Sequence, residues 1–261
     1  MMDPEDILSS SLQSLYSYNP ITFSGDIFVH KASGLTFRIS NPAPSNWSLH
    51  ASSIWIAAIF LANHLADIRL EDDHNVLELG AGSGIPGIVL AQRSQGRAAV
   101  TLSDYPDDAI LRVLQENIKR NDLANMRVVG HSWGEDTAQL GIFDVVLAAD
   151  TLWNPEHHLS FCHTLSCVLR RTSDARIYLV AGLHTGRWTV QRFLEKLTPF
   201  SLEVDEVYER KADNVFDSDA PQESLRPWEP DRDEDETERR RWVVWIVLKW
   251  APSYLAAGDK M

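Results

Sequence analysis

Val76-Leu77-Glu78-Leu79-Gly80-Ala81-Gly82-Ser83-Gly84-Ile85-Pro86-Gly87 is the stretch that decides how the rest of the 261-residue chain is read. Val76 to Leu79 is a short apolar run of the kind that forms a buried parallel strand. A glycine cluster follows, then a helix-compatible run from Ile85 to Ala91. Glycines at a strand-to-helix turn let the backbone bend tightly and approach a ligand closely, and the new helix aims its free N–H groups at that ligand.

The residues Gly82 to Gly87 match GxGxxG, and Asp104 lies about twenty residues further on, as a dinucleotide site requires. Two features favour S-adenosylmethionine (SAM). Glu78, two residues before the first glycine, puts a carboxylate at the strand end, which suits a cationic ligand better than a pyrophosphate. Asp104 closes a second apolar strand, where its carboxylate can accept both ribose hydroxyls. A dinucleotide, or a glycine turn with no ligand, remains the alternative.

Outward from this stretch the pattern alternates. Strands are expected at 75–80, 98–104, 126–130, 143–149 and 177–182, with helices at 85–94, 106–121, 156–171 and 188–198 between or after them. Such alternation predicts an α/β, doubly wound, mostly parallel seven-stranded sheet with its ligand at the carboxyl ends of the strands. Upstream, two β-prone runs around Ala32 to Gly34 predict a hairpin, and 47–67 has helical spacing with Trp55 off the apolar stripe. Residues 1–20 form a flexible segment or a lid, and 21–250 form one domain. Strand 200–208, a polar loop 209–241 and strand 242–250 complete it, the last two strands antiparallel at one edge, with 251–261 a tail.

Composition narrows the function. A net charge of −13 disfavours nucleic acid and suits a basic partner or a cationic small molecule. Seven acidic residues fall between Glu229 and Glu238, which reads as a solvated loop. No apolar run reaches membrane-spanning length, and the acidic start lacks signal-peptide features, so a cytoplasmic protein is expected. Cys162 and Cys167 share one helix and read as buried thiols, with no metal-ligand cluster elsewhere.

The strand ends collect the chemistry: Gly80 to Gly84, then Asp104 and Tyr105, then His131 to Gly134, then Ala149 to Trp153, then Leu183 and His184. A carboxylate for hydroxyls beside aromatic faces for an adenine and a sulfonium is what a nucleoside-sulfonium ligand needs. Trp133 is the candidate for stacking on the ring. Asp150 is a candidate for orienting an amine, Trp153 for walling its channel and His184 for taking a proton; Asp150 could equally cap the following helix. His157 and His158 read as solvent-facing or packed.

The order Glu-Leu-Gly-Ala-Gly-Ser-Gly, Ser-Asp-Tyr-Pro-Asp, Ser-Trp-Gly and Ala-Ala-Asp-Thr-Leu-Trp-Asn resembles the seven-β-strand methyltransferases of the family-16 group. Within that group the chain looks most like the fungal elongation-factor-1A N-terminal and lysine methyltransferases, over roughly residues 20–250. The resemblance implies SAM contacts at Trp55, Gly80, Ala81, Gly82, Asp104, Trp133 and Ala149. It also implies an acceptor motif of an acid followed three residues later by an aromatic, here Asp150 and Trp153, with Trp in place of Tyr or Phe. The expected activity is SAM-dependent N-methylation of a lysine or N-terminal amine in a protein such as a translation elongation factor. A small-molecule amine methyltransferase and a non-catalytic interaction protein on the same fold are the alternatives.

Overall fold

The computed structural model describes residues 27–42, 44–49, 51, 53–213, 215 and 224–258. The segment expected to serve as a lid, 1–20, lies outside them. Ile27–Val29 (β1) and Thr36–Arg38 (β2) pair as the expected antiparallel hairpin. The main sheet has eight strands in the order β5-β4-β3-β6-β7-β10-β8-β9. These are Asn75–Leu79 (β3), Ala99–Asp104 (β4), Met126–Gly130 (β5), Val145–Ala149 (β6), Arg176–Gly182 (β7), Leu202–Lys211 (β8), Leu225–Pro227 (β9) and Trp242–Trp250 (β10). β3 to β7 run parallel, whereas β10 is antiparallel to both neighbours, β7 and β8.

Side-chain alternation explains why the sheet is covered on both faces. On β10, Val243, Trp245 and Val247 enter one core, while Trp242, Val244, Ile246, Leu248 and Trp250 enter the other. The first core holds Ile56–Asn63 (α1), Ile85–Arg93 (α2) and Asp108–Arg120 (α3) with the hairpin; the second holds His158–Val168 (α4) and Arg187–Leu194 (α5). The chain leaves β3 towards β4 and β5, then crosses back to β6 and β7. The strand order therefore switches between β3 and β6, where a crevice opens at the carboxyl ends.

Several expectations need correction. The sheet has an eighth strand, β9, drawn from the stretch expected to be loop. That stretch also extends β8 to Lys211 and contains a short helix, Glu236–Arg239 (α6). Its acidic run is not simply solvated, because the Glu234 side chain packs against Arg187 and Arg226, the two arginines that also hold the buried Glu209. The predicted helix 47–67 is replaced by a 3₁₀ turn at Pro44–Leu49 and, beginning only at Ile56, α1. The expected tail begins as a helix, Pro252–Gly258 (α7), with Tyr254 stacked on Trp250. Of the two cysteines, which are unbridged, only Cys162 is buried; Cys167 is half-buried beside His163.

Candidate active site

The crevice is a cavity of about 230 Å³. Its floor is the turn after β3. Gly80 and Gly82 have φ of +64° and +55°, the left-handed region that favours glycine. A Cβ on Gly80 would lie 2.8 Å from Thr151 Cγ2, so the turn and the end of β6 close on each other only because that side chain is missing. A Cβ on Gly82 would meet nothing within 4 Å. There the bare backbone leaves room for a ligand.

Two acidic side chains brace this floor. Alternation along β3 turns Glu78 to the same face as Val76, beneath α2. Its Oε2 accepts the Gly87 N–H at 2.8 Å. Burial pushes the Glu78 carboxyl up to about 8, against the pull of that bond. Asp104, at the tip of β4, accepts the Gly82 N–H through Oδ2 and the Tyr105 N–H through Oδ1, both at 2.7 Å. Burial raises it to about 6, although those two bonds favour its charged form. Asp107 caps α3, accepting from Ala109 and Ile110 N–H groups, and also receives the Asn46 amide.

The walls come from both sides of the switch. Trp133, packed on Phe161 with ring centroids 4.5 Å apart, stands beside His131 and Ser132. Burial holds the His131 imidazole below its ordinary range. Asp150 follows β6 with φ of +56°, a conformation Asp tolerates better than most residues. It does not cap a helix; Asn154 does that, through its bond from the Glu156 N–H. Asp150 Oδ1 instead accepts the Gly182 N–H at 3.0 Å. A Cβ on Gly182 would sit 2.9 Å from His184 Nδ1 and 3.1 Å from Asp150 Oδ1. A bare backbone at the end of β7 thus allows these two side chains to approach, with His184 Nδ1 3.9 Å from Asp150 Oδ1.

Of the residues expected at the site, Trp55, Glu78, Gly80, Ala81, Gly82, Asp104, Tyr105, Trp133, Ala149, Asp150 and Trp153 all line the cavity. His184 does not. It stacks behind Trp55, with ring centroids 5.1 Å apart and planes 20° apart. His157 lines the mouth, whereas His158 is buried and bonded to the Leu152 carbonyl. Ala51, Ser53 and Ile54, which form a roof with Trp55, were not expected. Their apolar residues also fit the longer helix expected over 47–67, so no local sequence signal marks them out.

The cavity's chemistry fits SAM. Ser83 Oγ, Thr151 Oγ1 and Asp150 Oδ2 are buried without hydrogen-bond partners, and all three residues belong to its wall. A native fold rarely leaves such groups unpaired unless a ligand meets them. The carboxylates suit hydroxyls and positive charge, and Trp55, Trp133 and Trp153 offer aromatic faces to a sulfonium. Among the described residues no group of three or more His, Cys, Asp or Glu is placed to hold a metal ion.

Residues 44–200 match the lysine methyltransferase family. The histone-arginine methyltransferase METTL23 of Rattus norvegicus is 29% identical over 55% of this chain and 64% of its own length, so the chain spans just under two thirds of that relative. The protein N-terminal and lysine N-methyltransferase efm7 of Schizosaccharomyces pombe is 26% identical over 69% of this chain and 75% of its own. Among solved structures, a SAM-dependent methyltransferase from Aquifex aeolicus superposes with a TM-score of 0.51 at 14% identity, covering 79% of this chain and 93% of the other, a likeness of fold. With the glycine floor, the paired carboxylates and a match across more than half its length, the chain belongs to the lysine methyltransferase family and is a SAM-dependent methyltransferase.

Proposed function

We propose that this enzyme transfers the methyl group of SAM to an amine of a protein, a lysine side chain or an N-terminal amine in a basic segment, and that it acts in the cytoplasm. One observation carries the choice of an amine. Asp150 is 8% exposed, it lines the cavity, and its Oδ2 has no partner. A buried carboxylate oxygen without a partner, on a residue of the cavity wall, suits an N–H-bearing cation. The protein acceptor is supported by the relatives, whose names specify protein N-termini, lysine and histone arginine. No described helix is long and apolar enough to cross a membrane.

Bound SAM supplies an electrophilic methyl group on a positively charged sulfur. The protein's task is to align a nitrogen lone pair with it and to exclude water. An alkyl amine is mostly protonated at neutral pH, so a proton must leave before its nitrogen can attack. In this proposal Asp150 Oδ2 accepts an N–H of the incoming amine and turns its lone pair into the cavity. Trp153 walls the channel, and His184, close to Asp150 Oδ1, takes the proton. Asp104 holds the ribose hydroxyls and Trp133 stacks on the adenine. Trp55, Glu78, Gly80, Ala81, Gly82, Tyr105 and Ala149 complete the cofactor side.

Mass spectrometry after incubating the protein with isotopically labelled SAM and cell extract tests the acceptor. Label on a lysine or an N-terminal amine of a protein is expected. Label confined to small molecules, or to arginine, would overturn the assignment.

A further inference from the structure

The buried face of α3 runs Ile110, Val113, Leu114 and then Asn117, an amide where the pattern calls for an apolar residue. Asn117 is 0% exposed. A buried amide is costly unless its groups are bonded, and here they are. Its Oδ1 accepts the Arg38 N–H at 2.7 Å. Its Nδ2 donates to the Arg38 carbonyl at 2.9 Å and to the Ser83 carbonyl at 3.0 Å. A flipped amide would face N–H with N–H, so these partners fix its orientation.

Of the two partners, Ser83 lines the cofactor cavity, while Arg38 belongs to the hairpin upstream of the segment that roofs it. Ser83 is in the glycine turn, and the peptide after it is held at its other end as well, where the Gly84 N–H donates to the Ala81 carbonyl at 2.7 Å. Arg38 ends β2, from which the chain runs through the 3₁₀ turn to the roof residues Ala51, Ser53, Ile54 and Trp55. Asn121, one turn along α3, grips Thr36 in the same two-bond manner, accepting its N–H and donating to its carbonyl. Asn121 does not bond the glycine turn; its remaining bond goes to the Asn117 carbonyl.

We propose that Asn117 is a positioning residue for the cofactor: its carboxamide sets the register between the glycine turn that floors the cavity and the N-terminal segment that roofs it. Asn121 anchors the same hairpin without touching the floor. The assignment depends on SAM binding and not on which acceptor is methylated.

Calorimetric titration with S-adenosylhomocysteine, beside melting curves of the ligand-free proteins, compares Asn117→Ala with Asn121→Ala. Losing the carboxamide at 117 is expected to weaken binding by roughly 10-fold, the scale of one or two hydrogen bonds. The KM for SAM should rise in proportion, with kcat at saturating SAM nearly unchanged. Asn121→Ala should lower the melting temperature while leaving affinity within about twofold, because none of its bonds reaches the glycine turn. Should Asn117→Ala fail to fold, Asn117→Asp keeps the shape and the bond from Arg38 N–H while removing both donated bonds, and the same weakening is expected. Wild-type affinity in the folded Asn117 variant, or equal weakening by Asn121→Ala, would overturn the proposal.

Discussion

The two halves of the sheet are built on different principles. The β3–β4–β5 half is parallel, and its chemistry lies in short turns where backbone N–H groups meet carboxylates from neighbouring strand ends, as Gly82 meets Asp104 and Gly87 meets Glu78. The β10–β8–β9 half is antiparallel, and its far end is fastened by side-chain charges. Arg187 grips Glu209 through two 2.7 Å bonds and also bonds Glu234. Arg226 bonds the same two glutamates and lies over the Trp242 ring at 3.7 Å. Backbone turns of the first kind position a ligand. Ion pairs of the second kind shape the rim next to His184, because Arg187 opens α5 three residues later. Between them, the ends of β6 and β7 carry Asp150 and Gly182, where the proposed cofactor and acceptor regions meet.

Breaking the charged half should have the largest effect. Glu209 is 0% exposed, and Glu209→Ala leaves Arg187 and Arg226 to share Glu234 alone. Loss of a partner from a buried pair costs about 3–5 kcal/mol, to be read in denaturant unfolding. If the network merely decorates the surface, the variant will unfold like wild type.

Breaking the cofactor half should act on affinity. Asp104→Ala removes the proposed ribose acceptor and the brace on Gly82, and charged hydrogen bonds are worth about 1.5–3 kcal/mol each, so S-adenosylhomocysteine binding should weaken ~10- to 100-fold by calorimetry. Unchanged affinity would remove Asp104 from the ribose. Affinity should also fall as pH drops through about 6, where the ligand-free Asp104 takes up a proton.

The smallest expected effect is a slope. The Glu78 carboxyl rises from 4.5 to about 8 on folding, so the folded protein holds a proton that the unfolded chain has released. Its contribution is full below pH 4.5 and is lost as pH rises through about 8. Glu78→Gln, which keeps an acceptor for the Gly87 N–H, should flatten the fall in unfolding free energy over that window, read by denaturant unfolding at a series of pH values. A slope identical to wild type would show that Glu78 is not held protonated.

The contrast between the halves also explains what the sequence revealed. The glycine turn, Asp104 and the 149–153 stretch are local signals, each readable within a few residues, and the structure gathers all of them at one crevice. β10 was equally legible, since seven consecutive apolar residues, Trp242 to Leu248, suit a strand buried on both faces. Other features depend on distant partners. Glu209 and Arg187 are 22 residues apart, and charges that read as solvent-facing become a buried network only when β8 and α5 meet. Asn117 and Asn121 look like ordinary polar positions near a helix end until β2 lies beside them, 79 and 85 residues away. The roof at 51–55 was hidden because its apolar residues also fit a longer helix. His184 was assigned to the right strand end, but only packing decides that it stands behind Trp55.

The central claim is a division of labour in which β3 and β4 hold the cofactor while Asp150, after β6, receives the acceptor amine. Asp150→Ala, with its S-adenosylhomocysteine affinity measured by calorimetry and its methyl transfer followed from labelled SAM, tests this most directly. The expected result is wild-type affinity with transfer to protein amines lost. Undiminished transfer, or loss of cofactor affinity in step with transfer, would contradict it.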